Sequence, residues 1–153
     1  MSSQKRLVLA QLDRKLELNK GLGLNQTPNM GWVNTIRTSL NMTLEQLGRK
    51  LGITKQAVKH LEEREYSGAI TLKSLKEVGD ALEMNFVYGF VPKNGSVDKL
   101  VEMKSRVLAS KIVLRTHQTM QLENQGVAEN RIEQAIEELT LEIKREMRRS
   151  IWD

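Results

Sequence analysis

Apolar residues along most of this chain recur with the period of an amphipathic helix. Between residues 43 and 62 they are separated by three, four or seven positions, and the set comprises Leu44, Leu47, Leu51, Val58 and Leu61. Such spacing places them on one side of a helix, where they can be buried. Gly52 interrupts the pattern, and glycine readily adopts the left-handed conformation that ends a helix. The stretch therefore predicts two short helices joined by a tight turn, which is a helix-turn-helix.

Polar residues at the predicted helix ends support these boundaries. Thr43 can cap the first helix, and Gln46, three residues further on, can return a hydrogen bond to it as in a capping box. Thr54 can cap the second helix, which is predicted to run to about Leu61.

The second helix has the side-chain pattern of a helix that reads DNA. Its lysines and its glutamine face outward when Val58 and Leu61 are buried, and no acidic residue lies between Thr54 and Leu61. Glutamine can pair with adenine in the major groove of double-stranded operator DNA, and lysine can reach guanine or a phosphate. The predicted DNA-binding residues are Thr43, Thr54, Lys55, Gln56, Lys59 and His60, with Arg37 and Lys73 contacting phosphates from the flanks. The alternative is an ordinary helical hairpin whose lysines are only solvated.

Helical periodicity also predicts five further helices, over residues 4–18, 32–40, 72–82, 96–124 and 129–149. The helix over residues 32–40 should cover the helix-turn-helix, with Trp32 in the core. The helix over residues 72–82, capped by Thr71, should close the bundle.

Residues 85–91 have a different pattern, because they are apolar and aromatic and end at Pro92. This pattern predicts one β-strand. A single strand leaves backbone groups unpaired, so it should pair either with residues 21–25 or with the same strand of a second copy. The second option predicts a homodimer. A homodimer would also place two recognition helices roughly 34 to 36 Å apart on a palindromic site.

The predicted fold is therefore mainly α. It consists of a five-helix-type helix-turn-helix DNA-binding domain with one β-strand, an N-terminal helical arm and a long helical C-terminal tail. The predicted boundaries are residues 1–30 for the arm and its linker, 31–92 for the DNA-binding domain with its terminal strand, and 93–153 for a tail that binds a partner or dimerises.

Composition narrows the possible functions. The formal net charge of +5 suits a nucleic-acid partner, and the absence of cysteine favours the reducing cytoplasm. The first apolar run is too short for a secretory signal, and no stretch approaches a membrane span. The two histidines, His60 and His117, are far apart, and no nucleophile, base and acid set or metal-ligand spacing is visible. Neither an enzyme nor a cofactor is predicted.

Charge is distributed unevenly along the tail. Residues 93–118 contain six Lys or Arg against two acids, and residues 119–143 contain one Arg against six Glu. Charge runs are usually solvated helix sides, but this distribution also allows self-pairing or a basic protein partner.

The residues of the helix-turn-helix resemble the phage-repressor-like family of regulators. The matching positions are Leu47, Gly52, Thr54, Gln56, Val58 and Glu62. Gly48 departs from the pattern, because the family prefers alanine there, and it is expected to loosen the first helix slightly. The resemblance implies a DNA-binding regulator.

The chain as a whole resembles the family called mobile mystery protein A. The similar segments are residues 11–16, 31–32, the helix-turn-helix, 71–72, 88–92, 117–126 and 152–153. Members are encoded beside mobile mystery protein B, a Fic-domain protein. The resemblance implies a toxin and antitoxin pair, in which this chain is the DNA-binding antitoxin and the Fic-domain protein is its partner.

The same resemblance directs attention to one short pattern in the tail. Inhibitors of Fic enzymes carry a helix of pattern Ser/Thr-x-x-x-Glu-Gly/Asn, and Thr119, Glu123 and Asn124 fit its fixed positions. In a helix Thr119 and Glu123 lie on one side. The glutamate of such inhibitors pairs with an arginine that would otherwise hold the γ-phosphate of ATP, since carboxylate and phosphate both suit a guanidinium group.

The sequence leaves a second function open. The chain could be a free-standing helix-turn-helix repressor whose tail serves only for dimerisation or for sensing a small ligand. In that case Glu123 would be an ordinary solvated residue of a helix.

Overall fold

The computed structural model describes residues 2–23, 27–118 and 125–153. The described residues form α-helices and two short 3-10 helices, and none of them lies in a β-strand. The α-helices are α1 (Ser2–Glu17), α2 (Trp32–Ser39), α3 (Leu44–Leu51), α4 (Lys55–Ser67), α5 (Leu72–Ala81), α6 (Val97–Gln118) and α7 (Gln125–Glu146). The 3-10 helices are Lys20–Gly23 and Arg149–Trp152. The mainly helical fold class is confirmed.

The chain divides into two compact units, residues 24–88 and residues 1–23 with 89–153. The first contains α2 to α5 and is called the central unit here. The second joins α1 to α6 and α7 and is called the helical tail unit. Within this unit the N-terminal helix packs with the tail helices. The three predicted parts, residues 1–30, 31–92 and 93–153, stay a prediction.

The core of the central unit is formed by the apolar stripes of its four helices. Its buried residues are Val33, Leu47, Val58, Leu61, Val78 and Leu82. Four of these six belong to the helix pair α3 and α4 or to its cover α2, so the helix-turn-helix is held from within by its own hydrophobic residues.

A buried ion pair joins α2 to α4. Arg37 Nε donates to Glu62 Oε1 at 2.5 Å, and the two side chains are only 11% and 9% exposed. Asn34 Nδ2 donates to the other oxygen of Glu62 at 2.9 Å, and Arg37 also donates to the backbone carbonyl of Met42 at 2.9 Å. Because the guanidinium group of Arg37 and the carboxylate of Glu62 are both hydrogen-bonded, the desolvation cost of burying the two charges is offset. The ion pair also specifies the position of α2 relative to α4.

A second glutamate of α4 caps α2. Glu65 Oε1 and Oε2 accept hydrogen bonds from the backbone N–H groups of Val33 at 2.8 Å and Trp32 at 3.0 Å. These are N–H groups of the first turn of α2, which have no partner inside the helix. Gly31, with φ of 85°, precedes them, and a Cβ there would lie 2.8 Å from Glu65 Oε1. The close approach of Glu65 therefore requires glycine.

The helical tail unit is built around the hairpin of α6 and α7. Its buried hydrophobic residues are Val101, Ala109, Ile136, Ile143 and Ile151, and Leu9 of α1 packs against them. Asp13 of α1 caps α6, since its two carboxylate oxygens accept from the backbone N–H groups of Val97 at 2.7 Å and Asp98 at 3.0 Å. The carboxylate also carries the charge that a helix N-terminus favours.

Ion pairs connect α6 to α7 along the hairpin. Lys144 Nζ donates to Asp98 at 2.9 Å and to Glu102 at 3.2 Å, and Arg106 pairs with Glu133. Partial burial lowers the pKa of Lys144, but the hydrogen bonds to Asp98 and Glu102 outweigh it, so its pKa lies above the ordinary value. The acidic residues of α6 are therefore neutralised by α7.

The predicted strand at residues 85–91 is not supported. The segment has no regular secondary structure, and Val87, Tyr88 and Phe90 are exposed. One of its two predicted partners, residues 21–25, is a 3-10 helix as far as Gly23, and residues 24–26 lie outside the described residues. Without a neighbouring strand, β-propensity alone cannot form the inter-strand hydrogen bonds that define a sheet.

The prediction that Trp32 lies in the core is also wrong, because its side chain is 48% exposed. Val33 occupies the buried stripe of α2 instead. Adjacent residues point about 100° apart around a helix, so the burial of Val33 turns Trp32 toward the edge of the core.

No described helix combines the length and the apolar content needed to cross a membrane.

Breaking the Arg37–Glu62 pair should destabilise the central unit. Arg37→Ala leaves the Glu62 charge buried without its partner, and we expect the free energy of unfolding to fall by about 3 kcal/mol. Urea unfolding followed by Trp32 fluorescence in a Trp152→Phe background measures this unit alone. Lys76→Ala, an exposed change on α5, is the matched control. Equal unfolding midpoints for the two variants would show that the ion pair does not hold α2 to α4.

Removing one buried hydroxyl should stabilise the helical tail unit. Ser105 is fully buried on α6, and its Oγ has no hydrogen-bond partner among the described residues. Because an unpaired buried hydroxyl is costly, we expect Ser105→Ala to raise the free energy of unfolding by about 1 kcal/mol. Trp152 fluorescence in a Trp32→Phe background gives the measurement. Ala109→Ser, which adds a hydroxyl one turn further along the same buried side, should act in the opposite direction; a loss of stability in Ser105→Ala would contradict the assignment.

Candidate nucleic-acid interface

The N-terminal end of α3 is held by the predicted capping box. Thr43 Oγ1 accepts from the backbone N–H of Gln46 at 3.1 Å, and Gln46 Oε1 accepts from the backbone N–H of Thr43 at 2.8 Å. Each side chain thus satisfies a backbone donor of the other residue, and the prediction is confirmed.

The turn after α3 depends on two glycines. Gly52 adopts the left-handed conformation with φ of 71°, as predicted. The N–H of Ile53 then donates to the carbonyl of Gly48 at 2.9 Å, and a Cβ on Gly48 would lie 2.6 Å from the carbonyl oxygen of Ile53. Gly48 therefore permits a closer approach of the turn to α3 than alanine would allow, which gives a physical reason for its departure from the family pattern.

Thr54 fixes the first turn of α4. Its hydroxyl accepts from the backbone N–H of Ala57 at 3.1 Å, which confirms the predicted cap. Both Val58 and Leu61 are buried in the core, as predicted. The helix is thereby prevented from rotating about its axis.

This orientation places the predicted base-reading residues in solvent. Four of them are exposed on α4, namely Lys55, Gln56, Lys59 and His60. The two N-cap residues are exposed as well, Thr43 before α3 and Thr54 before α4. The two threonine hydroxyls accept the capping hydrogen bonds and still have an O–H to donate, which is the hydrogen-bonding capacity that a phosphate oxygen requires.

The exposed side of α4 is electrostatically suited to an anion. Lys55 and Lys59 make no ion pair within the part of the chain that the structure describes. The next exposed acid along α4 is Glu63, whose Oε2 lies 3.4 Å from His60 Nδ1. The cations at the N-terminal end of α4 are therefore available to neutralise phosphates.

Arg37 does not belong to this interface, which corrects the prediction that it contacts phosphate. All three of its guanidinium nitrogens are engaged, by Glu62 and by the carbonyl of Met42. Lys73 lies exposed on α5, and its contact with phosphate stays a prediction.

Sequence reasoning did not anticipate how Glu62 and Glu65 position α4. A signal was present, because Val58, Leu61, Glu62 and Glu65 follow one another at the spacing of a single helix side. Acidic residues on an otherwise buried side indicate an internal partner, since a charge is not buried unpaired. Their partners are Arg37, Asn34 and the N-terminal end of α2.

The residues of the second predicted site, Thr119, Glu123 and Asn124, lie outside the described residues. They fall between the end of α6 at Gln118 and the beginning of α7 at Gln125.

Comparison with known proteins finds one match, to part of the chain. Residues 33–88, which are less than half of the chain, match the family model described as helix-turn-helix. This match covers α2 to α5 and the segment that follows them, and it supports a DNA-binding transcriptional regulator. Neither the curated proteins nor the solved structures contain a match.

Truncation of the exposed side of α4 should weaken DNA binding without unfolding the domain. We expect Lys55→Ala with Gln56→Ala to lose about 1 to 3 kcal/mol for each good base contact, measured by fluorescence anisotropy on DNA from upstream of its own gene. Lys76→Ala, also in the central unit, serves as the control for an exposed lysine outside α4. Affinity for this DNA should fall steeply with salt concentration. Unchanged binding by the double variant would move the recognition surface elsewhere.

Proposed function

We propose that the helix-turn-helix regulator defined by residues 33–88 is the antitoxin of a toxin and antitoxin pair. In this proposal it represses its own operator as a homodimer and inhibits a Fic-domain AMP-transferase. The observation that carries the DNA-binding half is the exposed side of α4, which presents Lys55, Gln56 and Lys59 with no acid among them.

Three features of the central unit support operator binding. The side of α4 opposite the core is polar and carries Lys55 and Lys59 at its N-terminal end, the helix is fixed by the Thr54 cap, and the buried Glu62 holds it to α2. A rigid helix that projects such side chains can enter the major groove, with glutamine facing adenine. Base contacts of this kind would supply sequence specificity, and the lysines would supply most of the affinity.

The support for a homodimer comes from the geometry of DNA and not from a contact observed in the chain. One recognition helix covers only a few base pairs, and specific regulators usually combine two such helices roughly 34 to 36 Å apart. Two copies on a palindromic operator double the number of contacts, which raises affinity and specificity together.

The inhibitory half of the proposal rests on the resemblance to mobile mystery protein A and on the pattern of Thr119, Glu123 and Asn124. A glutamate delivered to the arginine of a Fic site would occupy the position of the ATP γ-phosphate. The guanidinium group binds carboxylate and phosphate in the same bidentate way, so the two compete directly. The AMP of ATP then cannot be transferred to a target hydroxyl.

The two activities can be coupled because they belong to one chain. We assign DNA binding to residues 31–92 and partner binding or dimerisation to the tail, residues 93–153. Residues 1–30 form the N-terminal arm and its linker in this proposal. If the partner binds the DNA-bound and the free antitoxin with different affinities, it must change operator affinity by the same factor. The ratio of toxin to antitoxin would then regulate transcription of both genes.

Substitution of the proposed inhibitory glutamate should release the partner enzyme. With the Fic-domain product of the adjacent gene, we expect Glu123→Ala to restore transfer of AMP from labelled ATP, because the arginine would again be free to bind the γ-phosphate. Glu129→Ala, an exposed acid on α7, is the control for loss of one negative charge.

Two outcomes would contradict parts of the proposal. Full suppression of AMP transfer by Glu123→Ala within an intact complex would exclude this glutamate as the inhibitor. Absence of any stable complex on co-expression with the adjacent gene would favour a free-standing repressor. The DNA-binding half of the proposal would still hold in that case.

A further inference from the structure

Helix α6 has an apolar side that α7 does not cover. Toward α7 it presents Val101, Ser105 and Ala109, which are buried. On the opposite side Met103, Val107 and Leu114 remain between 48% and 53% exposed. Together with the half-buried Leu100 and Ser110, these residues follow alternating intervals of three and four, the spacing of a helix that packs against another helix.

Cations border this stripe on both sides. At about 100° per residue, the stripe from Leu100 to Leu114 is roughly 80° wide. Lys104, Lys111 and Arg115 follow on one side, and Lys99 and Arg106 follow on the other. No acidic residue of α6 projects near it, because Asp98 and Glu102 lie on the other side of the helix and are paired with Lys144 of α7.

The bordering lysines have no acidic partner in the part of the chain that the structure describes. Lys104 and Lys111 are exposed and form no ion pair within the described residues, whereas Arg106 is paired with Glu133. The uncovered side of α6 is thus apolar in the middle and positively charged at its edges. Complementarity requires an occupant with the same apolar spacing and the opposite charge at its edges.

We propose that the stripe formed by Leu100, Met103, Val107, Ser110 and Leu114 binds an amphipathic helix of a partner protein whose apolar side is bordered by acidic residues. Burial of the apolar stripe would supply affinity. Acidic residues of the partner helix opposite Lys104 and Lys111 would set the orientation of that helix on α6. The proposal does not depend on the partner being a Fic-domain protein.

Neither α6 nor the described part of α7 in a second copy provides such an occupant. Two α6 stripes packed against each other would bring lysines next to lysines, which is destabilising in a helix pair. The outward side of α7 has the acids Glu137 and Glu138, but Leu141 is the one strongly exposed large apolar residue among its described side chains. It therefore lacks an apolar stripe to cover α6.

Lipid and nucleic acid fit the stripe less well. Helices that lie on membranes usually insert aromatic residues together with leucine, and α6 contains no Phe, Trp or Tyr. Phosphate groups would reach the lysines but would leave Met103, Val107 and Leu114 uncovered, because a nucleic-acid backbone buries little apolar surface.

The proposal can be tested on the full chain with a fluorescent peptide of three heptads that carries leucine at the a and d positions and glutamate at e and g. We expect binding, and we expect Val107→Glu to weaken it by about tenfold or more, because a charge replaces a central apolar contact. Leu141→Glu is the matched control, since it makes the same kind of change at an exposed position of α7. It should alter affinity less than about twofold.

Further peptides and surfaces separate the alternatives. A peptide with lysine in place of glutamate, and one with serine in place of leucine, should both fail to bind. No binding of the acidic peptide, or equal weakening by Val107→Glu and Leu141→Glu, would overturn the proposal. Two results with Val107→Glu would also overturn the proposal. One is loss of binding to phosphatidylglycerol vesicles that the unmodified chain binds, and the other is conversion of a dimer to a monomer in sedimentation velocity. Circular dichroism of each variant verifies that the helices are retained.

Discussion

The carboxylate of Glu62 is the constraint on which the orientation of α4 depends. It lies inside the central unit, where it is bound by Arg37 and Asn34 of α2, and it belongs to the same helix that carries Lys55 and Gln56 outward. Because both partners of this buried charge belong to α2, a rotation of α4 about its axis would leave the charge unpaired. The ion pair therefore allows α4 only a narrow range of orientations. Val58 and Leu61 restrict the same rotation by packing. Apolar packing and the ion pair thus act together, and the consequence is that the side of α4 opposite them is presented to solvent in one orientation.

The helix-turn-helix was predictable because its signals are local. Caps, a left-handed glycine and the spacing of apolar residues each depend on a few neighbouring residues, and the structure confirms Thr43, Gly52 and Thr54 in those roles. Side-chain exposure on α4 follows from the same periodicity. The base that each exposed residue contacts depends also on the operator sequence and on how α4 docks in the groove, so helix periodicity does not predict it.

The failures share a dependence on contacts between distant residues. A strand at residues 85–91 needed a partner strand, which apolar and aromatic composition does not provide. The exposure of Trp32 depends on how α2 packs on the other helices of the central unit, and it is Val33 that packs in their shared core. The N-terminal helix gave no sign that Asp13 would cap a helix beginning more than eighty residues later, at Val97. Capping by a distant side chain has no sequence spacing, so a reading of local patterns does not detect it.

Helix α6 shows why low amphipathicity is informative in its own right. A helix that is apolar on one side signals a single buried contact, whereas α6 has apolar residues both toward α7 and away from it. Its acids are used internally by Lys144, while Lys104 and Lys111 have no acidic partner among the described residues. Met103, Val107 and Leu114 remain about half exposed, so they contribute little to the core of this unit. An exposed apolar stripe beside cations that have no acidic partner among the described residues is the pattern on which the proposed second contact of α6 rests.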